Sequence, residues 1–196
     1  MIAIFLSASV PDPKRHKRYH STADVVAIRD AVRAIATVAL PHASLHWGGH
    51  PAITPLVRVV AESVGITGAD RVRLFQSRWF SDVLPEDNAA FERYELTPRE
   101  ATLAESLATM RKAMLDSAAF DAGVFIGGME GVEEEFALFR ARHPDAAVLP
   151  VATTGAAARI VYERERDRLN LPAALAHNYA YPSLFRQLLR LPLISE

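Results

Sequence analysis

The sequence contains no cysteine, and this absence removes several chemistries at once. Disulfide bonds, thiolate catalysis and cysteine-ligated zinc are excluded, and the absence is consistent with a reducing compartment. No stretch approaches the roughly 20 consecutive apolar residues that a membrane-spanning helix needs. We therefore expect a soluble, cytoplasmic protein with no membrane partner.

An excess of charge of either sign is also missing. The chain has 22 lysines and arginines against 23 aspartates and glutamates, so no overall positive field is available to hold a nucleic-acid backbone. We therefore do not expect nucleic acid as a partner. The seven histidines lack the H-E-x-x-H motif of metal sites, and no cysteine is available as a ligand, so we expect no metal and no cofactor.

Apolar side chains, in contrast, make up 50% of the 196 residues. This length and composition predict a single folded domain over residues 1–196. The apolar start at 1–10 lacks a preceding positive region, so it predicts a buried strand rather than a signal peptide. The tail from about residue 171 carries three prolines and a short amphipathic stretch at 183–189. We expect it to pack as a C-terminal helical extension.

Short apolar runs alternate with segments of helical periodicity along the chain. Buried strands are predicted at residues 2–6, 44–47, 72–75, 121–126 and 147–151. Segments with helical spacing, such as 24–40, lie between and after them. This alternation predicts an α/β fold, a Rossmann-like three-layer sandwich around a central, mainly parallel sheet.

The region after the third predicted strand breaks this alternation. Residues 76–96 are largely polar and predict a long loop, and long loops in compact domains are usually functional or mobile. Thr97-Pro98-Arg99-Glu100 then has the pattern of a capping box with a favoured proline inside it. It predicts a helix from Thr97 to about Ser117.

Three turns of glycine or hydroxyl residues follow predicted strands and precede predicted helices. The carboxyl ends of parallel strands share one edge of the sheet, where ligands bind. Glycine lets the backbone approach a phosphate closely, and the N–H groups and dipole of the next helix favour negative charge. We therefore predict an anion-binding cleft formed by Gly48-Gly49, Gly127-Gly128 and Thr153-Thr154-Gly155.

Hydroxyl and imidazole side chains lie at the same predicted edge. Ser7 and Ser9 end the first strand without the G-x-S-x-G elbow of a hydrolase nucleophile, so phosphate or ribose hydrogen bonding fits them better. His50 follows the Gly48-Gly49 turn and is included in the predicted site, although histidines at strand ends are more often ordinary hydrogen-bonding residues.

Two arginines in predicted loops are further candidates. Arg15 lies in the basic segment 14–18, where one guanidinium is expected to grip a phosphate while the other charges form a solvated run. Arg78 precedes Trp79 and Phe80 in the long loop and is expected to supply a second cation. The two aromatic residues either stack on a base or anchor the loop to the protein body.

Several of these segments together resemble a known family. Residues 110–114 place an arginine–lysine pair on a predicted helix, 121–128 start with aspartate and end in two glycines, and 131–135 join a glycine to three glutamates. They resemble the lonely guy cytokinin-activating phosphoribohydrolases, which carry such a pair, such a strand and a P-G-G-x-G-T-x-x-E loop. With Ser7, Ser9 and residues 47–51, the resemblance extends over about 1–167 to the wider SLOG superfamily, which includes Smf/DprA-like proteins.

The glycine loop departs from the lonely guy pattern at three positions. Ile126 replaces the proline, Val132 replaces the threonine, and Glu130 is an extra residue before the third glycine. Either Arg111 or Lys112 holds the place of the family's arginine. The resemblance therefore carries over the fold better than the catalytic activity.

The resemblance implies a nucleotide ligand held by Met129, Glu130, Gly131 and Glu135, the last beside the ribose. We expect a homo-oligomeric sensor of a nucleotide such as an ADP-ribose derivative, in signalling or antiviral defence. The alternative is an N-glycosidase that releases the base of a nucleoside 5′-phosphate, with Glu135 and Arg111 as its catalytic residues. Residues 133–135 can equally serve only to complement the helix dipole.

Overall fold

A parallel β-sheet forms the centre of the fold. The computed structural model describes residues 1–15, 17–66 and 71–192, and its strands are β1 (Ile2–Ser9), β2 (Ala43–Trp47), β3 (Val72–Ser77), β4 (Arg93–Thr97), β5 (Ala122–Gly127) and β6 (Ala147–Val151). They pair in the order β4-β3-β2-β1-β5-β6. The chain therefore changes direction across the sheet between β1 and β5, the place where such sheets bind ligands.

Helices cover both faces of the sheet. They are α1 (Lys17–His20), α2 (Val25–Ala39), α3 (Thr54–Ser63), α4 (Leu103–Leu115), α5 (Glu130–Arg142), α6 (Ala156–Leu169), α7 (Ala174–His177) and α8 (Tyr181–Leu189). Helices α2, α3 and α8 pack on one face, and α4, α5 and α6 pack on the other. This arrangement confirms the predicted Rossmann-like sandwich. Within the described ranges, no helix has the length and apolar character needed to cross a membrane.

The central strand β1 is buried on both faces, as its continuous apolar sequence predicts. Ile4 and Leu6 contribute to the core under α2, whereas Ala3 and Phe5 contribute to the core under α4–α6. The Phe5 ring stacks on Phe139 of α5 with 5.2 Å between ring centroids. Burial of Ile4, Phe5 and Leu6 contributes roughly 1.5–3 kcal/mol for each side chain, so β1 is held firmly between the two layers of helices.

The segment after β3 is more ordered than the predicted loop. Two short 3-10 helices, Arg78–Val83 and Glu86–Ala90, lead into the edge strand β4, so the prediction of an uninterrupted loop over 76–96 is wrong. The sequence pattern conceals β4 because its alternate residues Arg93 and Glu95 are charged and exposed. Charged side chains are common on edge strands, where they prevent pairing with other chains.

Helix α4 begins at Leu103, six residues after Thr97. Thr97 ends β4, and its hydroxyl donates a hydrogen bond of 3.2 Å to the Gln76 carbonyl of β3. The capping box is formed instead by Thr102 and Glu105, whose side chains accept from each other's backbone N–H groups at 3.2 and 2.9 Å. The prediction of a start at Thr97 is therefore wrong, because sheet pairing occupies the first of two T-x-x-E patterns.

The turn after β6 joins several elements in the interior. The hydroxyl of Thr154 accepts a hydrogen bond from the Gly127 N–H at 2.9 Å and donates to the Val151 carbonyl at 2.6 Å. The hydroxyl of neighbouring Thr153 is paired with Tyr181 of α8 at 3.0 Å. Both threonines are buried. This turn connects β5, β6 and the C-terminal helix.

Thr154→Val should therefore lower the free energy of unfolding by about 1–3 kcal/mol, because the buried Gly127 N–H would lose its acceptor. Urea denaturation measures this change. The matched control is Thr37→Val in α2, where the hydroxyl bonds to the Arg33 carbonyl at the surface and its loss should cost much less. Equal effects of the two substitutions would contradict the role given to Thr154.

Candidate functional site

A cavity of about 660 Å³ opens at the carboxyl ends of β1, β2 and β3. Its walls are completed by α4, by the start of α5 and by the 3-10 segment after β3. The volume lies in the range of about 300–1,000 Å³ that is typical of small-molecule sites. The predicted site residues that line it are Ser7, Ser9, Arg15, Gly48, Gly49, His50, Arg111, Met129, Glu130, Gly131 and Glu135.

One wall of the cavity holds a buried carboxylate between a hydroxyl and a guanidinium. Ser7 Oγ donates to Glu135 Oε2 at 2.6 Å, and Arg111 Nε donates to Glu135 Oε1 at 3.4 Å. The same guanidinium pairs through Nη1 with Glu134 Oε2 at 2.6 Å. The side chain of Arg111 is only 7% exposed, whereas Lys112 pairs with Asp116 on the outside of α4. Arg111 is thus the member of the arginine–lysine pair that enters the site.

The protonation of Glu135 is set by opposing influences. Burial raises the pKa of the Glu135 carboxyl above its ordinary value, against the Arg111 charge and the Ser7 hydrogen bond, which lower it. Carboxyls with raised pKa values are common at binding and catalytic sites, where they hydrogen-bond ligands or exchange protons. The described residues contain no group of three or more His, Asp or Glu side chains placed to hold a metal ion.

The N-terminus of α5 borders the same wall. Met129 is its N-cap residue and offers no side-chain hydrogen bond to the helix, whereas its carbonyl accepts from the N–H groups of Val132 and Glu133 at 3.0 and 3.4 Å. The Arg111 guanidinium lies beneath this turn, since a Cβ on Gly131 would be 3.3 Å from Arg111 Nη2. Helix N-termini of this kind bind anions through their N–H groups and dipole.

The opposite wall of the cavity is apolar. The 3-10 segment after β3 and the residues that follow it contribute Phe80, Val83, Leu84 and Pro85, and α4 contributes Leu107 and Met110. The cavity therefore has a polar half at β1 and α5 and an apolar half under this segment. Such a division suits a ligand with a charged or hydroxylated end and a planar, apolar end.

The two glycine pairs and the third turn have different roles. Gly128 donates its N–H to the Ser9 carbonyl at 2.8 Å, and a Cβ on Gly127 would lie 2.5 Å from Ile28 Cδ1. These glycines shape the link from β5 to α5 and do not line the cavity. Gly155 does not line it either. A Cβ there would overlap the Thr22 carbonyl, so this glycine is needed for packing.

Of the three glycine or hydroxyl turns predicted to meet at one ligand, the structure places residues 48–49 at the cavity, whereas 127–128 and 153–155 lie outside its lining. The sequence pattern is the same in each case. Glycines at positions with positive φ, such as Gly127 and Gly155, are needed for the turn itself. The packing of α2 and α8 covers the turn after β6.

The candidate residues in the predicted loops also differ in whether they line the cavity. Arg15 reaches the cavity rim, 59% exposed and 4.0 Å from Glu130 Oε2. Arg78 is exposed and lies outside the lining, and Trp79 packs under the Arg99 guanidinium at 4.5 Å. Phe80 alone of that trio lines the cavity. The anchoring interpretation therefore fits Trp79, and the ligand-facing interpretation fits Phe80.

His50 forms part of the cavity and also shapes the start of α3. Its Nδ1 accepts a hydrogen bond from the Ala52 N–H at 3.2 Å, and its own N–H donates to Thr54 Oγ1 at 3.2 Å. Burial lowers the pKa of the His50 imidazole, which favours the neutral ring. With Nδ1 accepting, the proton of the neutral ring is on Nε2.

Some lining residues were not predicted from the sequence. They are Gln76 at the end of β3 and the apolar residues Val83, Leu84, Pro85, Leu107 and Met110. A polar residue directly after a buried strand is a signal for Gln76, since carboxyl strand ends face the ligand. No comparable signal marks the apolar wall, because apolar side chains on a helix usually indicate core.

The sheet is doubly wound and parallel, and the cavity lies at the carboxyl ends of its strands, as in Rossmann-like α/β domains. The SLOG cluster3 family model matches residues 18–189. The chain belongs to the SLOG cluster3 family, and this membership confirms the predicted superfamily and a nucleotide-related function.

Solved structures agree on the fold. The X-ray structure of TM1055, a structural genomics target, resembles this chain with a TM-score of 0.54 at 15% sequence identity. The similarity covers 83% of this chain and 81% of that one. No curated protein matches the chain.

The raised pKa of Glu135 predicts a specific pH dependence. Because the folded state binds this proton more tightly than the unfolded chain, Glu135 contributes stability that is fully present below pH 4.5, its ordinary pKa. That stability is lost as the pH rises through the folded pKa. Glu135→Gln removes this titration, so the wild-type free energy of unfolding minus that of the variant should fall as the pH rises.

Urea denaturation of both proteins at a series of pH values from about 4 upward measures this difference. The expected difference decreases and then levels off once Glu135 is ionised in both states. A difference that grows with pH would mean that attraction by Arg111 outweighs burial, and it would contradict the electrostatic description of the site.

Proposed function

We propose that this cavity binds a phosphate-bearing nucleotide and that the chain acts as a ligand-sensing domain. The observation that carries the proposal is the presence in one cavity of a helix N-terminus with an arginine, a buried carboxylate and an apolar wall. These three features match the phosphate, ribose and base of a nucleotide in chemistry and order. Family membership supports the same class of ligand.

Each part of the ligand has a preferred partner under this proposal. The phosphate lies at the N-terminus of α5, where Arg15 also reaches. The ribose hydroxyls donate to Glu135 and exchange hydrogen bonds with Ser7. The base lies against Phe80 and Leu84 in the apolar half, where desolvation and ring contacts favour a planar group.

The charges of the site are compatible with this placement. Arg111 is already neutralised by two glutamates, so it orients Glu135 rather than gripping a phosphate. Arg15 is exposed, and its 4.0 Å pair with Glu130 is of the kind that contributes only about 0–1 kcal/mol. Arg15 can therefore exchange this contact for a phosphate at little cost.

We further propose that the ligand is an ADP-ribose derivative and that the protein acts in a signalling system such as antiviral defence. The SLOG resemblance, rather than the geometry of the cavity, supports both assignments. A homo-oligomer is proposed on the same basis. These assignments specify the ligand and context of the cavity and do not change how it is built.

The alternative function is that of an N-glycosidase, and one observation favours it. Glu135 is a buried carboxyl with a raised pKa beside the proposed ribose position, as a group that assists glycosidic cleavage would be. Against it, the extra Glu130 at the start of α5 departs from the lonely guy loop pattern, and a misplacement of about 1 Å can cost a hundredfold in rate.

Substitution of Met129 tests the phosphate position. Met129→Asp supplies the missing N-cap acceptor and a charge that complements the helix dipole, but it also places a carboxylate where the phosphate is proposed to lie. Met129→Asn supplies the cap without the charge. The Asp variant should be at least as stable as the Asn variant and bind AMP at least tenfold more weakly.

Calorimetric titration with AMP and chemical denaturation measure the two quantities for both variants. Each variant loses the packing of the Met129 side chain equally, so the comparison isolates the charge. Equal AMP affinity of the Asp and Asn variants would remove the α5 N-terminus from the site. Gly128 is a poorer choice for this test because a Cβ there would overlap Val132.

Chromatographic detection of free base separates sensing from catalysis. We expect no base release from AMP, NAD or ADP-ribose incubated with the wild-type protein or with Glu135→Gln, because the extra Glu130 and the missing threonine of the glycine loop depart from the catalytic pattern of the lonely guy enzymes. Steady release by the wild type that disappears in the Gln variant would overturn this expectation and establish the N-glycosidase.

A further inference from the structure

Gln76 is a buried polar side chain without a partner. It is the penultimate residue of β3, only 6% exposed, and it lines the cavity. Its side-chain amide makes no hydrogen bond with any described residue. The amide atoms keep access to the cavity, unlike fully buried unpaired atoms such as Trp47 Nε1, so a bound ligand can reach them.

The backbone of the Gly48-Gly49 turn lies directly against this amide. Gly49 has a φ of +61°, and a Cβ on it would overlap Gln76 Nε2 and lie 2.7 Å from Leu74 Cδ1. Any side chain at position 49 would therefore displace the amide from its place at the cavity wall. The need for glycine at position 49 is therefore explained by its contact with Gln76 as well as by the close approach that it allows a phosphate.

The amide lies in a part of the cavity with few other polar side chains. Two strands, β2 and β1, separate β3 from the α5 side of the site, and the residues that follow Gln76 include the apolar Phe80, Val83, Leu84 and Pro85. A ligand that reaches from α5 toward β3 would place its far end here. The amide then offers one donor and one acceptor side by side within an apolar surface.

We propose that Gln76 is the specificity-determining residue of the cavity and that it reads the polar edge of a nucleobase, specifically adenine. One glutamine amide makes two hydrogen bonds to adenine, accepting from the N6 amino group and donating to N7. The corresponding edge of guanine presents two acceptors, N7 and O6, and leaves the amide oxygen facing an oxygen. The inference rests on the proposed nucleotide function and assigns the base that this site accepts.

The test is calorimetric titration of wild type and Gln76→Met with AMP, GMP and ribose 5-phosphate. Methionine is unbranched and fills a similar volume without an amide, so the fold should be retained and Tm should be unchanged or raised. The chain's other glutamine, Gln187 on α8, is exposed, and Gln187→Met is the matched control.

We expect wild type and Gln187→Met to bind AMP at least tenfold more tightly than GMP, since a bidentate base contact discriminates by about that amount or more. Gln76→Met should lose at least tenfold in AMP affinity while its ribose 5-phosphate affinity stays the same. Wild-type protein that binds none of the three ligands would contradict the nucleotide proposal itself, and this inference with it.

If the wild type binds AMP, two results would overturn the role of Gln76 alone. One is unchanged AMP affinity in Gln76→Met. The other is an equal loss for AMP and ribose 5-phosphate, which would show a general distortion of the cavity rather than a lost contact with the base.

Discussion

The carboxylate of Glu135, held between Ser7 and Arg111, is the interaction on which the arrangement of the site depends. It joins the end of the central strand β1 to α4 and α5 at one point. Removing one partner of a buried charge pair leaves the other uncompensated, which typically costs 3–5 kcal/mol. The same contacts fix the start of α5 against the sheet, so the polar half of the cavity depends on them.

The apolar half of the cavity has a different origin. It comes from the 3-10 segment after β3, which β4 anchors by pairing along the edge of the sheet. The two halves meet over the carboxyl ends of β1, β2 and β3 because all strands are parallel. A site with one charged and one apolar end therefore follows from the topology together with the charged residues of α4 and α5.

Much of the fold was predictable because apolar periodicity is a local property of the sequence. Five of the strands and the helices between them follow from such patterns, and Asp24 caps α2 as the hydroxyl and carboxyl preferences of N-caps suggest. The edge strand β4 and the start of α4 could not be predicted in this way, because pairing between β3 and β4 determines both.

In the site, Ser7, Arg111 and Glu135 were found through strand ends and a family resemblance. The buried role of Thr154 and the exposed position of Arg78 depend on long-range packing, which no local pattern encodes.

A crystal structure of the protein with AMP would test the proposed site most directly. We expect phosphate oxygens at the N-terminus of α5 near Gly131, a ribose hydroxyl on Glu135, and the base against Phe80 with its amino edge at Gln76. A nucleotide bound outside this cavity, or bound with its base at α5 and its phosphate under the 3-10 segment, would show that the proposed site is wrong.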